Sequence, residues 1–235
     1  MKHYSVLKTA GNYNNEVGLP LTILRIRDEH EIAVAEMGIN SFGEMHRISE
    51  VARPDLVVMT NIGECHLENL TDRDGVLRAK SEIFDFSSPD GTVIVNGDDD
   101  KLITIESVHG KKPLRYGFDA GFDIYADNIK DNGLFGSSAD IHTGEGSIKA
   151  VINLPGKHMV YNAMAAAAVG IRFGLSIPEI EAGISAVEPV DGRSHLIKTC
   201  RFTIIDDCYN ANPVSMKAAL DMLSLAHGRR VAVLG

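Results

Sequence analysis

Three short apolar runs, each closed by a polar residue and separated by helix-like stretches, restrict this chain to an α/β architecture. The runs are "EIAVAE", ending at Glu36, "LVVMTN", ending at Asn61, and "TVIVNGDDD", closing with Asn96 to Asp100. All are rich in β-branched residues and almost continuously apolar, the pattern of buried strands. "GEMHRISEVARP" lies between the first two, with helical periodicity and a proline stop. A second helix, around Lys80, lies between the second and third. Strand–helix–strand alternation implies a parallel sheet with right-handed crossovers. Parallel strands end on one edge. Glu36, Asn61 and Asn96 are therefore expected to line one crevice, where open α/β sheets bind ligands.

The character changes from about Pro113 to Leu154. This segment is rich in Gly, Asp and Ser with short alternating runs, and reads as an antiparallel meander. "GKHMVYNAMAAAAVGIRFG" follows, its alanine run a strong helix former. "SIPEIEAGISAVEPV" predicts a capped helix with Pro178 near its start. From "GRSHLIK" to "RRVAVLG" the sequence predicts a new strand–helix–strand unit. The expected organisation is a central domain over 1–190 and the truncated start of a further domain over 191–235.

Composition narrows the function classes. Apolar residues at 44% suffice for a sizeable core, and charged residues at 23% are ordinary for a globular protein. A net charge of −9 without any basic block argues against nucleic acid or an anionic membrane as partner. No apolar run is long enough to span a bilayer, and the N-terminal stretch lacks a signal-peptide core. Cys65, Cys200 and Cys208 are odd in number and lack CxxC spacing, which fits reduced thiols and a cytoplasmic location.

Lys80 stands out in its helix. Val76, Leu77, Ile83 and Phe84 share one face of a 3.6-residue period, and Lys80 falls on that face. Three fates are open to it. It can snorkel to solvent, pair with Glu36 or Glu82, or lose its proton through burial. A neutral amine reacts with CO2 to give a carbamate, an anionic oxygen ligand for Mg2+. Glu36 ends one strand and His66 and Glu68 follow the next, so a carboxylate and an imidazole at neighbouring strand ends are candidate cation ligands. The simpler alternative is a Glu36–Lys80 ion pair with His66 as an ordinary loop residue.

No phosphate-binding loop of the form G-x-x-x-x-G-K-[ST] occurs. The two Gly-Lys pairs, Gly110-Lys111 and Gly156-Lys157, have Ile105 and Val151 where the upstream glycine belongs. In "IIDDCYNANP", Asp206 and Asp207 end a strand and Asn212-Pro213 opens a helix. An acid there suits a ribose hydroxyl, and Asn212 suits a helix N-cap. Cys208, with no histidine near it in sequence, reads as a small buried thiol.

The stretches "LKTAGNYNNEVGLPLTIL", "AEMGINSFGEM", "ARPDLVVMTNIGECHLE", "RAKSEIF", "VNGDDD", "GKHMVYNAMAAAAVG" and "IIDDCYNANPVSMKAAL" together resemble the Mur ligases of peptidoglycan synthesis. "NNEVGLP", "RAKSEIF" and "YNANP" point to the branch that joins D-alanyl-D-alanine to UDP-N-acetylmuramoyl-tripeptide. The resemblance implies an ATP-dependent carbon–nitrogen ligase acting through an acyl phosphate, with ATP and Mg2+ as cofactors. It implies Mg2+ ligation by Glu36 and His66, and carbamylation of Lys80, which would make it a third ligand. It places Asn162 at adenine, Arg193 near the nucleotide phosphates and Asp207 at the ribose. Thr9, Asn12 and Asn15 would face the UDP-sugar substrate, and Tyr209, Asn210 and Asn212 the dipeptide.

Some positions depart from the family pattern. Met159 stands where relatives commonly carry Asn, Cys208 replaces a usual Ser, and Glu64-Cys65 are larger or more polar than usual. The family's phosphate loop and N-terminal substrate domain are absent from these 235 residues, as is most of its C-terminal domain, so this polypeptide alone is expected to be inactive. Two other readings are a non-catalytic binding module on the same scaffold and a ligase for another amine, such as a diamino acid or the glutamate of folylpolyglutamate synthesis. "YNANP" argues against the second.

Overall fold

The structure, a computed structural model, describes residues 4–234. It divides between Leu114 and Arg115 into two compact units. Together they form an α/β fold.

In the first unit the chain runs β1 (Val6–Lys8), α1 (Gly18–Ile23), β2 (Ile32–Val34), α2 (Glu44–Ala52), β3 (Leu56–Met59), α3 (Leu67–Leu70), α4 (Arg73–Ser81) and β4 (Thr92–Asn96). β3 pairs with β4 in parallel, Leu56 opposite Thr92, as the alternation predicts. β1, not anticipated from the sequence, pairs in parallel with β2, Val6 opposite Ile32. Leu19, Met45, Ile48, Val57, Met59, Val76, Ala79 and Val95 form the buried core under these strands.

The reading of "EIAVAE" as a buried strand needs correction. β2 forms, but Ala33 and Val34 are exposed, Val34 by 55%. Among the described residues β2 pairs only with β1. An apolar run is buried only where neighbours cover it, and here one edge and much of its surface lack them.

The helix of Lys80 is better defined at its start than its end. Asp72 caps it, Oδ1 accepting from the Gly75 amide at 2.7 Å, a contact worth about 1 kcal/mol. Gly75 is required there, because a Cβ would lie 1.8 Å from the Leu70 carbonyl oxygen. After Ser81 the chain tightens into a 3-10 turn, Glu82–Asp85. Ile83 and Phe84 thus belong to that turn and not to the helix face, although both still pack on the core.

The division falls after the first residue of β5 (Leu114–Gly117), which is parallel to β6 (Ile124–Asp131). β7 (Ser137–Thr143) and β8 (Gly146–Ile152) complete the expected antiparallel meander. Along β8 Ile148, Ala150 and Ile152 are buried and alternate with exposed Lys149 and Val151, so one face carries the helices. These are α5 (His158–Arg172), whose alanines 163, 165, 167 and 168 are buried, and α6 (Ile177–Ser185), which opens with a Ser176/Glu179 capping box.

The last segment departs from the strand–helix–strand expectation. β9 (His195–Lys198) and β10 (Thr203–Asp206) form an antiparallel hairpin, and α7 (Pro213–Ser224) follows. Residues 231–234 are not a strand, and Val233 is 94% exposed. Without a partner edge an apolar run has no ladder to join.

Candidate functional site

Glu36 follows β2, and two residues of the preceding loop hold it. Its backbone amide donates to Thr9 Oγ1 at 2.9 Å, and its Oε1 accepts from Asn14 Nδ2 at 2.9 Å. The Asn14 carbonyl also accepts from the Gly38 amide at 2.7 Å. Among the described residues Oε2 of Glu36 accepts nothing. Asn15, one residue on, is spent structurally: Oδ1 accepts from the amides of Val17 and Gly18 at the start of α1. Gly18 is a close approach, since a Cβ would lie 2.3 Å from Tyr13 Cα. Asn12 is exposed, and its carbonyl takes the Asn14 amide.

The loop after β3 is held by side chains from two directions. Asn96 Nδ2 donates to the Thr60 carbonyl at 3.1 Å, which places the ends of β3 and β4 together as predicted. Lys80 Nζ donates to the Asn61 carbonyl at 3.0 Å. Asp99 Oδ2 accepts from the Ile62 amide at 2.8 Å, while its Oδ1 takes the amides of Lys101 and Leu102. Arg73 Nε donates to the Ile62 carbonyl at 2.9 Å and its guanidinium pairs with Asp100. Four of the five backbone polar groups from the Thr60 carbonyl to the Ile62 carbonyl are thus satisfied by side chains.

That loop delivers His66, exposed and left-handed at φ 53°, to the head of α3. Cys65 beside it packs on the core. Lys80 is half-buried. Burial pushes its pKa down, while the charges of Cys65 and Asp99 push partly back up. Neither carboxylate considered as its partner pairs with it. Glu36 turns to Asn14, and Glu82 accepts from the amides of Gly43 and His46, tying the start of α2 to the Lys80 segment. Of the three fates, the pair with Glu36 or Glu82 is not formed among the described residues, and the amine donates to one neutral acceptor, the Asn61 carbonyl.

Glu36, His66 and Lys80 all lie on loops and helices at the ends of parallel strands, but no hydrogen bond or ion pair joins them among the described residues. No group of three or more His, Cys, Asp or Glu close enough to hold a metal ion occurs among those residues either.

In the second unit the structure brings Arg193, Asp207 and Tyr209 together. The Arg193 guanidinium lies 4.4 Å from the centre of the Tyr209 ring. Asp207 Oδ1 accepts from the Ser194 amide at 2.7 Å and its hydroxyl at 3.2 Å. The Tyr209 amide donates to the Gly192 carbonyl. Asn212 is the helix cap that the sequence suggested: Oδ1 accepts from the Ser215 amide at 2.9 Å and Pro213 holds the first helical position. Asn210 is exposed, its Oδ1 bonded to the next amide. Asn162 is exposed on α5 and, among the described residues, donates to Met159 Sδ at 3.4 Å. Cys208 is exposed, not buried. Its hydrogen bond to Asp206 raises the thiol pKa, which disfavours a nucleophilic thiolate.

Sequence reasoning missed Asn14, Arg73 and Asp99. The doubled asparagine of "NNEVG" and the triple aspartate of "NGDDD" were visible. Which member of each run faces the site depends on contacts 22 and 37 residues away in sequence.

Comparisons with known proteins show the family and the fold. A family model described as the Mur ligase middle domain matches residues 1–170. The UDP-N-acetylmuramoyl-tripeptide–D-alanyl-D-alanine ligase of Bacillus subtilis (strain 168) is 39% identical, covering 99% of this chain and 50% of its own. A crystal structure of MurF from Acinetobacter baumannii superposes with a TM-score of 0.90 at 35% identity, over 97% of this chain and 50% of that one. MurF ligase from Thermotoga maritima in complex with ADP gives 0.81 at 27% identity, over 96% and 52%. The chain spans about half the length of the curated relatives it matches.

Proposed function

As this chain belongs to the Mur ligase family, we propose that it forms the central part of an ATP-dependent ligase joining D-alanyl-D-alanine to UDP-N-acetylmuramoyl-tripeptide. The observation that carries the reading is the half-buried Lys80 amine, which donates to the Asn61 carbonyl at 3.0 Å beside the loop of His66, its pKa lowered by burial. A structural lysine is ordinarily exposed or paired. An amine whose pKa is lowered by burial would be open to reaction with CO2.

In the proposed reaction a substrate carboxylate oxygen attacks the γ-phosphorus of ATP and ADP leaves. The dipeptide amine then attacks the acyl carbon, inorganic phosphate departs and the amine proton passes to solvent. Glu36 through Oε2, His66 and a carbamylated Lys80 would hold Mg2+, which supplies positive charge against phosphate oxygens when bound. The residues fit it: Glu36 offers an uncommitted anionic oxygen, and Mg2+ takes few protein ligands because it retains waters and phosphates. Arg193 contacts the nucleotide phosphates. Asp207 receives a ribose hydroxyl on Oδ2, its Oδ1 being used by Ser194. Asn162 faces adenine, Thr9, Asn12 and Asn15 face the UDP-sugar, and Tyr209, Asn210 and Asn212 face the dipeptide. The domain boundary near residue 190 and a cytoplasmic location belong to the same proposal. Among the described residues no helix is long and apolar enough to cross a membrane.

The test is amine profiling of the longest polypeptide encoded by this reading frame, with product mass as the readout. Ligation of D-alanyl-D-alanine in preference to a diamino acid or glutamate supports the proposal, and preference for another amine overturns it. Residues 1–235 alone contain no glycine-rich phosphate loop, so they are proposed to bind ATP weakly and to be inactive. Micromolar ATP binding with Mg2+ by calorimetry would contradict that.

A further inference from the structure

Asn14 has a place in the site that neither the motifs nor the comparisons assign. Its side-chain amide donates to Glu36 Oε1 at 2.9 Å. Its carbonyl accepts from Gly38, two residues beyond Glu36, at 2.7 Å. A Cβ on Gly38 would lie 3.1 Å from Asn14 Nδ2, so the two residues are already in near contact. The Glu36 amide is fixed separately by Thr9. One neutral residue therefore holds both the carboxylate and the backbone that follows it.

The neutrality has a consequence. A lysine or arginine at this place would cancel the Glu36 charge. An amide donor orients the carboxylate and leaves the full negative charge. It also occupies one oxygen. A carboxylate with both oxygens free can bind Ca2+ in bidentate fashion, whereas a small octahedral cation takes one oxygen and keeps its waters. Oε1 keeps a second lone pair but is oriented by the amide, and Oε2 is the oxygen that meets no donor among the described residues.

We propose that Asn14 is a positioning residue that makes Glu36 a one-oxygen ligand and so favours small divalent cations over Ca2+. The proposal rests on the reading of Glu36 as a metal ligand. Freed of the amide, Glu36 would lose its orientation toward a small cation and gain the bidentate mode.

Mn2+ alone, titrated into the full chain and read by the electron paramagnetic resonance signal of the free ion, tests this. Ca2+ is then added as competitor. Asn14→Ala is expected to weaken Mn2+ binding about tenfold and to lower the Mn2+ over Ca2+ preference at least fivefold. Asn14→Leu, which keeps the shape without the donor, should do the same, and thermal melts report whether each variant is folded. Glu36→Gln is the control for the underlying reading. If Glu36→Gln weakens Mn2+ while both Asn14 variants stay within twofold of wild type, the positioning role is overturned and the metal site stands. Equal weakening of Mn2+ and Ca2+ in the Asn14 variants also overturns it, since a merely structural loss does not change preference. Should Glu36→Gln leave Mn2+ binding unchanged, the metal reading fails and the inference with it.

Discussion

The loop that ends β3 and the turn that leads into β9 both carry residues proposed to act on the nucleotide, yet they are built differently. Around Thr60–Ile62 three carbonyls and one amide of the backbone are met by side chains: Asn96, Lys80, Arg73 and Asp99. The turn at Gly192–Ser194 is held by Asp206 and Asp207 from the end of the adjoining strand, and its arginine rests on an exposed tyrosine. The first arrangement is anchored on a buried core. The second is tied within one hairpin. A site that must aim a reactive amine needs the first kind of support, and a site that closes on a mobile ligand tolerates the second.

Substitutions of comparable aspartates put this contrast at risk. Asp99→Ala removes the acceptor of three backbone amides and should cost about 3 kcal/mol in denaturant unfolding. Asp207→Ala removes two hydrogen bonds in the hairpin, with an expected cost of about 1 kcal/mol. Equal losses would break the distinction. Lys80→Met should run the other way: replacing a partly desolvated amine, which has no ion pair among the described residues, with an apolar chain of similar length raises stability by about 1 kcal/mol while abolishing activity. A stability loss in that variant would mean that the Asn61 hydrogen bond is the residue's main purpose.

The smallest effect concerns His158 at the head of α5. Burial lowers its pKa, and the charge of Asp207 offsets part of that. The unfolded chain therefore takes up this proton first as pH falls below about 6.5, so the histidine's contribution to stability declines on the acid side. His158→Gln should flatten the decline between pH 7 and 5 by a few tenths of a kcal/mol. A steeper slope would reverse the assigned sign.

The core strands, the meander and the alanine-rich helix were legible because periodicity and burial coincide there. β3, β4 and β8 bury the residues their patterns mark. β2 has the same apolar pattern and is exposed, because cover comes from neighbours and not from the run itself. The pairing of β9 with β10 escaped notice, since hairpin and crossover differ in contacts and not in composition. The inward aim of Lys80 followed from spacing, while the absence of a pair with Glu36 or Glu82 required knowing that each is engaged elsewhere. Asn14 and Asp99 act across long sequence separations and left no local mark.

The proposed anionic form of Lys80 is tested most directly by chemical rescue of Lys80→Ala in the complete ligase. Activity should fall at least about a hundredfold, the loss of one stabilising charge at a reacting centre. Short carboxylic acids should restore part of it, because they replace the carbamate oxygens, and short alkylamines should not. Activity within twofold of wild type, or rescue by the amine in place of the acid, would contradict it.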